Sequence, residues 1–182
     1  MLRPYQQRSI DMLYEWFNNN PTGHPCLVLP TGAGKSHIVA ALCKDAIQSW
    51  PGTRLLMLTH SKELISQNAE KMRQHWANAP LGIYSASLNR RELNEPITFA
   101  GIQSVRKRAS QIGHVDLIIV DECHLISHKD EGGYRTLING LTDINPNVRV
   151  IGLTASPFRL GHGRITDGDA IFSDLIEPVS VH

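Results

Sequence analysis

Two short segments of this chain carry residue types that suit the binding and cleavage of a phosphate chain. The first, TGAGKS, lies between an apolar run and an amphipathic pattern. Its glycines let the backbone curl so that N–H groups face phosphate oxygens, and a following helix N-terminus adds partial positive charge. We predict a phosphate-binding loop in which Lys35 contacts the β- and γ-phosphates and Ser36 binds Mg²⁺. Its residues are Thr31, Gly32, Ala33, Gly34, Lys35 and Ser36.

This phosphate-loop pattern is incomplete at one position. The full pattern G-x-x-x-x-G-K-[ST] requires glycine where this chain has Leu29. The alternative is a glycine turn followed by a surface lysine. We favour the phosphate loop because an apolar strand, the loop, Lys-Ser and a helix follow one another in the required order.

The second segment is Asp121–His124, which reads DECH and directly follows the apolar run LIIV. An acidic pair at the end of a buried strand is costly unless a cation meets it. We predict that Asp121 holds Mg²⁺ and that Glu122 orients and deprotonates an attacking water. A rival interpretation joins Cys123, His124 and His128 in a zinc site, but no fourth ligand is evident.

The elements around these segments alternate between two hydrophobic periods. Helical patterns are predicted at 4–18, 35–50, 61–76, 102–108 and 134–141, and strands at 26–29, 54–58, 83–84, 97–100, 117–120 and 148–153. Ser61 is the expected N-cap of the third helix. This alternation predicts an α/β fold, with a mostly parallel sheet covered by helices on both faces.

Three more of these strands end in polar residues. They lead into residues 59–63, 101–104 and 154–157. In an open parallel sheet, ligands bind at the carboxyl ends of the strands, so all five polar segments are expected along one edge. The first two offer hydroxyl, amide and N–H groups to a phosphate backbone, and the third bridges toward the nucleotide. The alternative for each is an ordinary helix cap.

Composition restricts the possible partners and compartments. The 182 residues are 41% hydrophobic and 19% charged, which excludes wholesale disorder, and the net charge of +1 confines any nucleic-acid site to a local patch. Arg90–Arg91 and Arg106–Arg108 are the densest basic stretches, and we interpret them as solvated faces.

No run has the ~18 apolar residues of a membrane span, and no secretory signal is present. Three cysteines, an odd number, argue against a disulfide framework and for the cytoplasm.

Six motifs together resemble the ordered motifs of superfamily 2 helicases and span residues 2 to 163. They are LRPYQ, PTGAGKS, LTHSKELISQN, FAGIQSV, VDECH and GLTASPFRLGHG. The chain is identified as a first RecA-like domain of the DECH-box, restriction-enzyme and repair branch, covering residues 1–182, and is most similar to RadD-like bacterial repair proteins. This superfamily often lacks the first loop glycine, which accounts for Leu29.

The resemblance implies ATP and Mg²⁺ as cofactors and assigns further roles. Arg3 and Gln6 would recognise adenine, and His124, Thr154 and Ser156 would couple hydrolysis to domain movement. The residues that would line a nucleic-acid groove are Thr59, His60, Ser61, Lys62, Gln103 and Ser104. The family also has a second RecA-like domain with an arginine finger. We expect that domain to lie outside this chain, which would then be a fragment with low activity.

The expected function is therefore the ATP-binding domain of a DNA helicase or translocase acting in DNA repair, with DNA favoured over RNA. Three alternatives stay open: an RNA helicase, the motor subunit of a restriction system and a nucleotide-binding switch without motor activity. Glu122 argues against the switch, because a mere binder has no use for a water-activating base.

Overall fold

The computed structural model describes residues 1–159, 163, 164, 166 and 170–178. Its helices are α1 (Pro4–Asn19), α2 (Lys35–Ser49), α3 (Lys62–His75), α4 (Ile102–Val105), α5 (Ala109–Ile112) and α6 (His128–Ile144). Its strands are β1 (Pro25–Val28), β2 (Leu55–Thr59), β3 (Leu81–Ser85), β4 (Arg90–Arg91), β5 (Ile97–Gly101), β6 (Leu117–Val120), β7 (Arg149–Thr154), β8 (Phe158–Arg159), β9 (Gly163–Arg164) and β10 (Asp174–Ile176).

Eight strands form one sheet in the order β10-β1-β7-β6-β2-β5-β3-β4. Every neighbouring pair is parallel except β3 with β4. Strands β8 and β9 form a separate antiparallel pair. The predicted α/β fold is confirmed, and the carboxyl ends of β1, β7, β6, β2 and β5 lie side by side along one edge.

Helices cover both faces of the sheet. The core against α1, α2 and α3 contains Leu55 and Met57 of β2, and the core against α4, α5 and α6 contains Leu56 and Leu58 of the same strand. Because both faces are buried, successive strand residues are all apolar, which explains the continuous runs in the sequence. No helix in the described part of the chain is long and apolar enough to span a membrane.

Helix boundaries follow local signals where those signals are strong. Ser61 caps α3 as predicted, since its hydroxyl accepts the N–H of Leu64 at 3.3 Å. The expectation of one helix over 102–108 is wrong, because the chain turns at Arg106 and makes two short helices, α4 and α5. Helix α6 begins at His128, earlier than predicted, after a cap at Ser127.

Two edge strands escaped prediction. Strand β10 pairs in parallel with β1, so β7 is not the last strand of the sheet. Strand β4 pairs antiparallel with β3 and contains the basic pair Arg90–Arg91. The polar, glycine-rich sequence of residues 161–169 predicts a loop, most of which falls outside the described residues. Within it, Gly163 and Arg164 form β9.

At the amino ends of the strands, Arg149 and His24 fix the start of β7 to the segment before β1, and we call these contacts the clamp. The guanidinium of Arg149 donates to the carbonyls of Asn20 at 2.8 Å and Gly23 at 2.9 Å, and lies 4.7 Å from the ring centre of Phe17. His24 Nδ1 accepts the N–H of Val150 at 3.1 Å. Burial and the neighbouring Arg149 lower the pKa of His24 to about 4, which keeps the imidazole neutral and able to accept.

Candidate active site

The loop between β1 and α2 exposes a row of backbone donors. Gly32 and Gly34 have φ values of +86° and +75°, which favour glycine and turn the backbone into the start of α2. Among the described residues, the N–H groups of Gly32, Gly34, Lys35 and Ser36 meet no acceptor. Several free donors at a helix N-terminus form a ready anion-binding site.

Lys35 joins this loop to the DECH segment after β6. Its ammonium contacts Asp121 Oδ1 at 2.7 Å and Glu122 Oε1 at 2.5 Å. The Asp121 side chain is 1% exposed, so it requires the cationic partner that Lys35 supplies. Burial by itself would lower the pKa of Lys35, but attraction and hydrogen bonds from Asp121, then from Glu122, outweigh it and raise that pKa.

Asn68 of α3 is a site residue that the sequence did not single out. Its Nδ2 donates to Asp121 Oδ2 at 2.8 Å, so both oxygens of that carboxylate are held. Asn68 lines the cleft beside the phosphate loop, on the same helical face as the buried Ile65 and Met72. Two signals were available: an amide on an otherwise apolar helical face, and the place of Asn68 at the end of the LTHSKELISQN motif.

Glu122 and the end of β7 are linked by a chain of polar contacts. His124 Nε2 lies 3.6 Å from Glu122 Oε2. The Thr154 hydroxyl donates to the Ser156 carbonyl at 2.7 Å and therefore accepts from His124 Nδ1, also at 2.7 Å. The structure thus brings together the three residues predicted to couple hydrolysis to movement, His124, Thr154 and Ser156, beside Glu122.

Of the two residues predicted to recognise adenine, only Gln6 lies against the loop. Gln6 is buried, donates to the Ala33 carbonyl at 3.2 Å and accepts the N–H of Arg3 at 2.8 Å. Neither side chain lines either depression beside the loop: Arg3 is exposed to solvent and Gln6 is buried. The larger of these, about 490 Å³, is lined instead by Tyr5 and Arg8, which were not predicted.

The two predicted nucleic-acid segments meet beside β2 and β5. Gln103 Nε2 donates to the His60 carbonyl at 3.0 Å, and Lys62 is exposed at the start of α3. Thr59 differs from the expectation for a groove residue, since it is buried and its hydroxyl donates to the Ser61 carbonyl. The remaining predicted residue is Ser104, whose hydroxyl accepts the N–H of Ala86 at 2.9 Å.

The donor set of the cleft fits magnesium. The Asp121 and Glu122 carboxylates and the Ser36 hydroxyl line a cleft of about 320 Å³, and hard oxygen ligands are those that Mg²⁺ prefers. The Lys35 ammonium contacts both carboxylates, which shows that these groups attract positive charge. Across the part of the chain that the structure describes, no cluster of three or more His, Cys, Asp or Glu suits a metal. The side chain of His128 lies outside that part, so the zinc interpretation is untested.

One protein family accounts for most of the sequence. A family model described as "Type III restriction enzyme, res subunit" matches residues 1–159. The chain belongs to this family. Among the relatives of this chain, the mouse "ATP-dependent RNA helicase DHX58" is 30% identical to it. The alignment covers 86% of this chain and 25% of that protein. The "Type I restriction enzyme EcoAI endonuclease subunit" of Escherichia coli is 26% identical, with 93% and 21% aligned.

Solved structures show the same fold. The UvsW helicase from bacteriophage T4 superposes with a TM-score of 0.69 at 23% identity, covering 97% of this chain and 60% of that one. The Sulfolobus solfataricus SWI2/SNF2 ATPase core, solved with double-stranded DNA, gives a TM-score of 0.65 at 20% identity, covering 86% and 32%. The chain has the RecA-like fold of these proteins, and it spans about a quarter of the length of the curated relatives it matches.

Proposed function

We propose that this chain is the ATP-binding domain of a helicase or translocase that uses ATP hydrolysis to move along DNA. The contact of Lys35 with Asp121 and Glu122 beneath the phosphate loop carries the proposal. A nucleoside triphosphatase needs these three groups to bind phosphate, hold Mg²⁺ and activate water. Family membership and the helicase fold support the same assignment.

Each group has a role that its position supports. The free N–H groups of the loop and the Lys35 ammonium bind the phosphates, and Ser36 and Asp121 hold Mg²⁺. A Mg²⁺ ion held by these residues would supply positive charge to the phosphate oxygens. Glu122 orients a water and accepts its proton, which requires that Lys35 turn from the carboxylate toward the nucleotide. Asn68 keeps the Asp121 carboxylate in place during that exchange.

Adenine recognition is assigned to Gln6. Its side-chain amide uses one N–H and one lone pair within the protein, so one donor and one acceptor remain for a base. Arg3 is assigned a supporting contact, which its exposed side chain permits. The path from Glu122 through His124, Thr154 and Ser156 is assigned to coupling with a second RecA-like domain in the longer protein.

Nucleotide-dependent stabilisation tests the proposed site. ATP with Mg²⁺ at 100 times its dissociation constant adds about 2.7 kcal/mol, or roughly 5–10 °C in melting temperature for a domain of this size. We expect Lys35→Ala to lose most of this shift and Glu122→Gln to keep it. Lys44→Ala, an exposed lysine on the same helix, is the matched control and keeps it too. Equal shifts in the wild type and Lys35→Ala would refute the assignment.

A restriction-system motor is the second candidate, favoured by the family match and by the E. coli relative. ATP turnover by the longer protein separates the candidates. A repair translocase responds to DNA of any sequence, whereas a restriction motor responds to its recognition sequence and to methylation of that sequence. Stimulation by RNA alone would favour the RNA-helicase alternative, which the mouse relative supports.

A role in DNA repair and a cytoplasmic location complete the proposal. The resemblance of VDECH and GLTASPFRLG to RadD-like proteins supports repair, and sensitivity of a deletion strain to DNA damage tests it. The three cysteines, all free thiols, fit a reducing compartment.

A further inference from the structure

A basic depression of about 440 Å³ lies beyond β5, outside the nucleotide cleft. Two stretches that are separate in sequence meet there, one from β4 and one from the turn between α4 and α5. The cations that line it are Arg91, Arg106, Lys107 and Arg108, and none of the described residues lining it is acidic. We call these four side chains and their depression the basic pocket.

The backbone fixes the positions from which these exposed side chains extend. Arg91 is paired in register with Tyr84 of β3, while its neighbour Arg90 turns to Glu92 through two bonds of 2.7 Å. The N–H groups of Arg106 and Arg108 donate to the carbonyls of α4 at 3.0 and 2.9 Å. A Cβ added at Gly133 of α6 would lie 3.5 Å from Arg106 Cδ, so α6 supports the stem of that side chain.

The pocket cations have no anionic partner in the described structure. Arg91, Arg106 and Lys107 form no side-chain hydrogen bond or ion pair there, and Arg108 donates only to the neutral amide oxygen of Gln111 at 3.3 Å. Four like charges around one depression repel one another. In a chain whose net charge is only +1, this concentration of positive charge is local and suits a polyanion.

The basic pocket continues the proposed nucleic-acid segments. Gln103 and Ser104 also line it, and Gln103 is hydrogen-bonded to the His60 carbonyl. A nucleic-acid strand that contacts the exposed Lys62 and Gln103 would continue directly into the basic pocket. Tyr84 also lines the pocket, but the residue is buried and its hydroxyl donates to Gln111 Oε1 at 3.4 Å, so its ring is poorly placed to stack on a base.

We infer that the basic pocket binds backbone phosphates of the nucleic acid, extending the track from the carboxyl ends of β2 and β5 to the β3–β4 hairpin. This inference rests on the proposed function and adds a second phosphate-binding region to it. Because the contacts are cationic and no base is stacked, binding there is independent of sequence and falls with salt.

The test measures binding of fluorescein-labelled 20-mers, single-stranded and duplex, by the full chain between 50 and 200 mM salt. Arg91→Gln/Lys107→Gln is the pocket variant. Lys44→Gln/Arg73→Gln removes the same charges from exposed positions on α2 and α3 and is the matched control. We expect the pocket variant to bind about 10-fold more weakly, with a log–log salt slope smaller by about 1.4 for single strands and 1.8 for duplex. The control should change Kd less than 2-fold.

Four outcomes would overturn the inference. If Lys62→Gln weakens binding and the pocket variant does not, the pocket claim fails while the proposed function stands. Equal weakening by the pocket variant and the control points to net charge alone. If the wild type binds no oligonucleotide, the pocket claim fails together with the nucleic-acid part of the proposed function. The ATP-dependent melting shift should be unchanged in the pocket variant, and its loss would mean that the pocket serves the nucleotide or the fold.

Discussion

At the residue scale, the phosphate loop depends on two glycines that face different surroundings. A Cβ at Gly34 would lie 2.3 Å from Gln6 Nε2, whereas a Cβ at Gly32 would meet nothing within 4 Å. Both positions have positive φ, so alanine costs about 1–2 kcal/mol at either one. Only at Gly34 does alanine also push Gln6 off the Ala33 carbonyl, a hydrogen bond of about 1 kcal/mol.

We therefore predict that Gly34→Ala lowers the free energy of unfolding by about 1 kcal/mol more than Gly32→Ala does. Urea unfolding of the two variants measures the difference. In a Gln6→Ala background the clash partner is gone, so the two substitutions should become equal. A difference that persists in that background would show that Gln6 is not its cause.

At the scale of elements, the junction of β1 with β7 makes stability depend on pH. The folded protein holds His24 neutral with a pKa of about 4, against about 6.5 when unfolded. Between these values only the unfolded chain takes up the proton, so stability falls as pH drops from about 6.5 to about 4. His24 is partly exposed, and after allowance for solvent screening we expect a loss of about 1–2 kcal/mol.

The measurement is urea unfolding of wild type and His24→Asn at pH 7 and pH 4.5. The asparagine oxygen accepts the Val150 N–H in place of Nδ1 and does not titrate in this range. We predict that the variant loses about 1–2 kcal/mol less stability than the wild type between these pH values. Because the two proteins share every other titrating group, the comparison cancels the contributions of those groups. Parallel pH profiles for the two proteins would contradict the assignment.

The elements that sequence could predict are those whose signals are local. The order of β1, loop and α2 is contained in one stretch of the chain, and so is the Ser61 cap. Strands β4 and β10 have two and three residues, too few for a period to register, and their places come from pairing with β3 and β1.

Contacts between residues that are distant in sequence could not be predicted either, because no local pattern indicates them. Asn68 and Asp121 are 53 positions apart, and nothing local to either predicts the other. The basic stretches were interpreted as solvated faces because their convergence on one pocket depends on strand order. The polar segments after the strands were predictable, since parallel strands must all end at the same edge.

At the scale of the whole molecule, binding and hydrolysis of ATP should separate. Phosphoryl transfer needs positive charge around the γ-phosphate, and an arginine finger contributes about 10³–10⁵ in turnover. We propose that this arginine lies in the second RecA-like domain, so the 182-residue chain should bind ATP but turn over at least about 10³-fold more slowly than the longer protein.

Steady-state ATPase assays with and without DNA check this expectation. Glu122→Gln should lower the residual rate further while ATP binding is retained, which separates true turnover from contamination. Comparable rates for the chain and the longer protein would mean that the catalytic set is complete within these residues.

The strand order also has a consequence for synthesis. Strand β1 is enclosed by β7 and β10, and the clamp that fixes its start joins Gly23 to Arg149, 126 residues later. At ribosomal rates of about 5–20 residues per second, β1 waits roughly 6–25 s for its first neighbour to be made. During that interval the nascent chain carries an unpaired apolar strand, and its phosphate loop has no DECH segment beneath it. The first segment of the site to leave the ribosome is thus among the last to become functional, and a nascent chain stalled before β7 would be a substrate for chaperones rather than a binder of ATP.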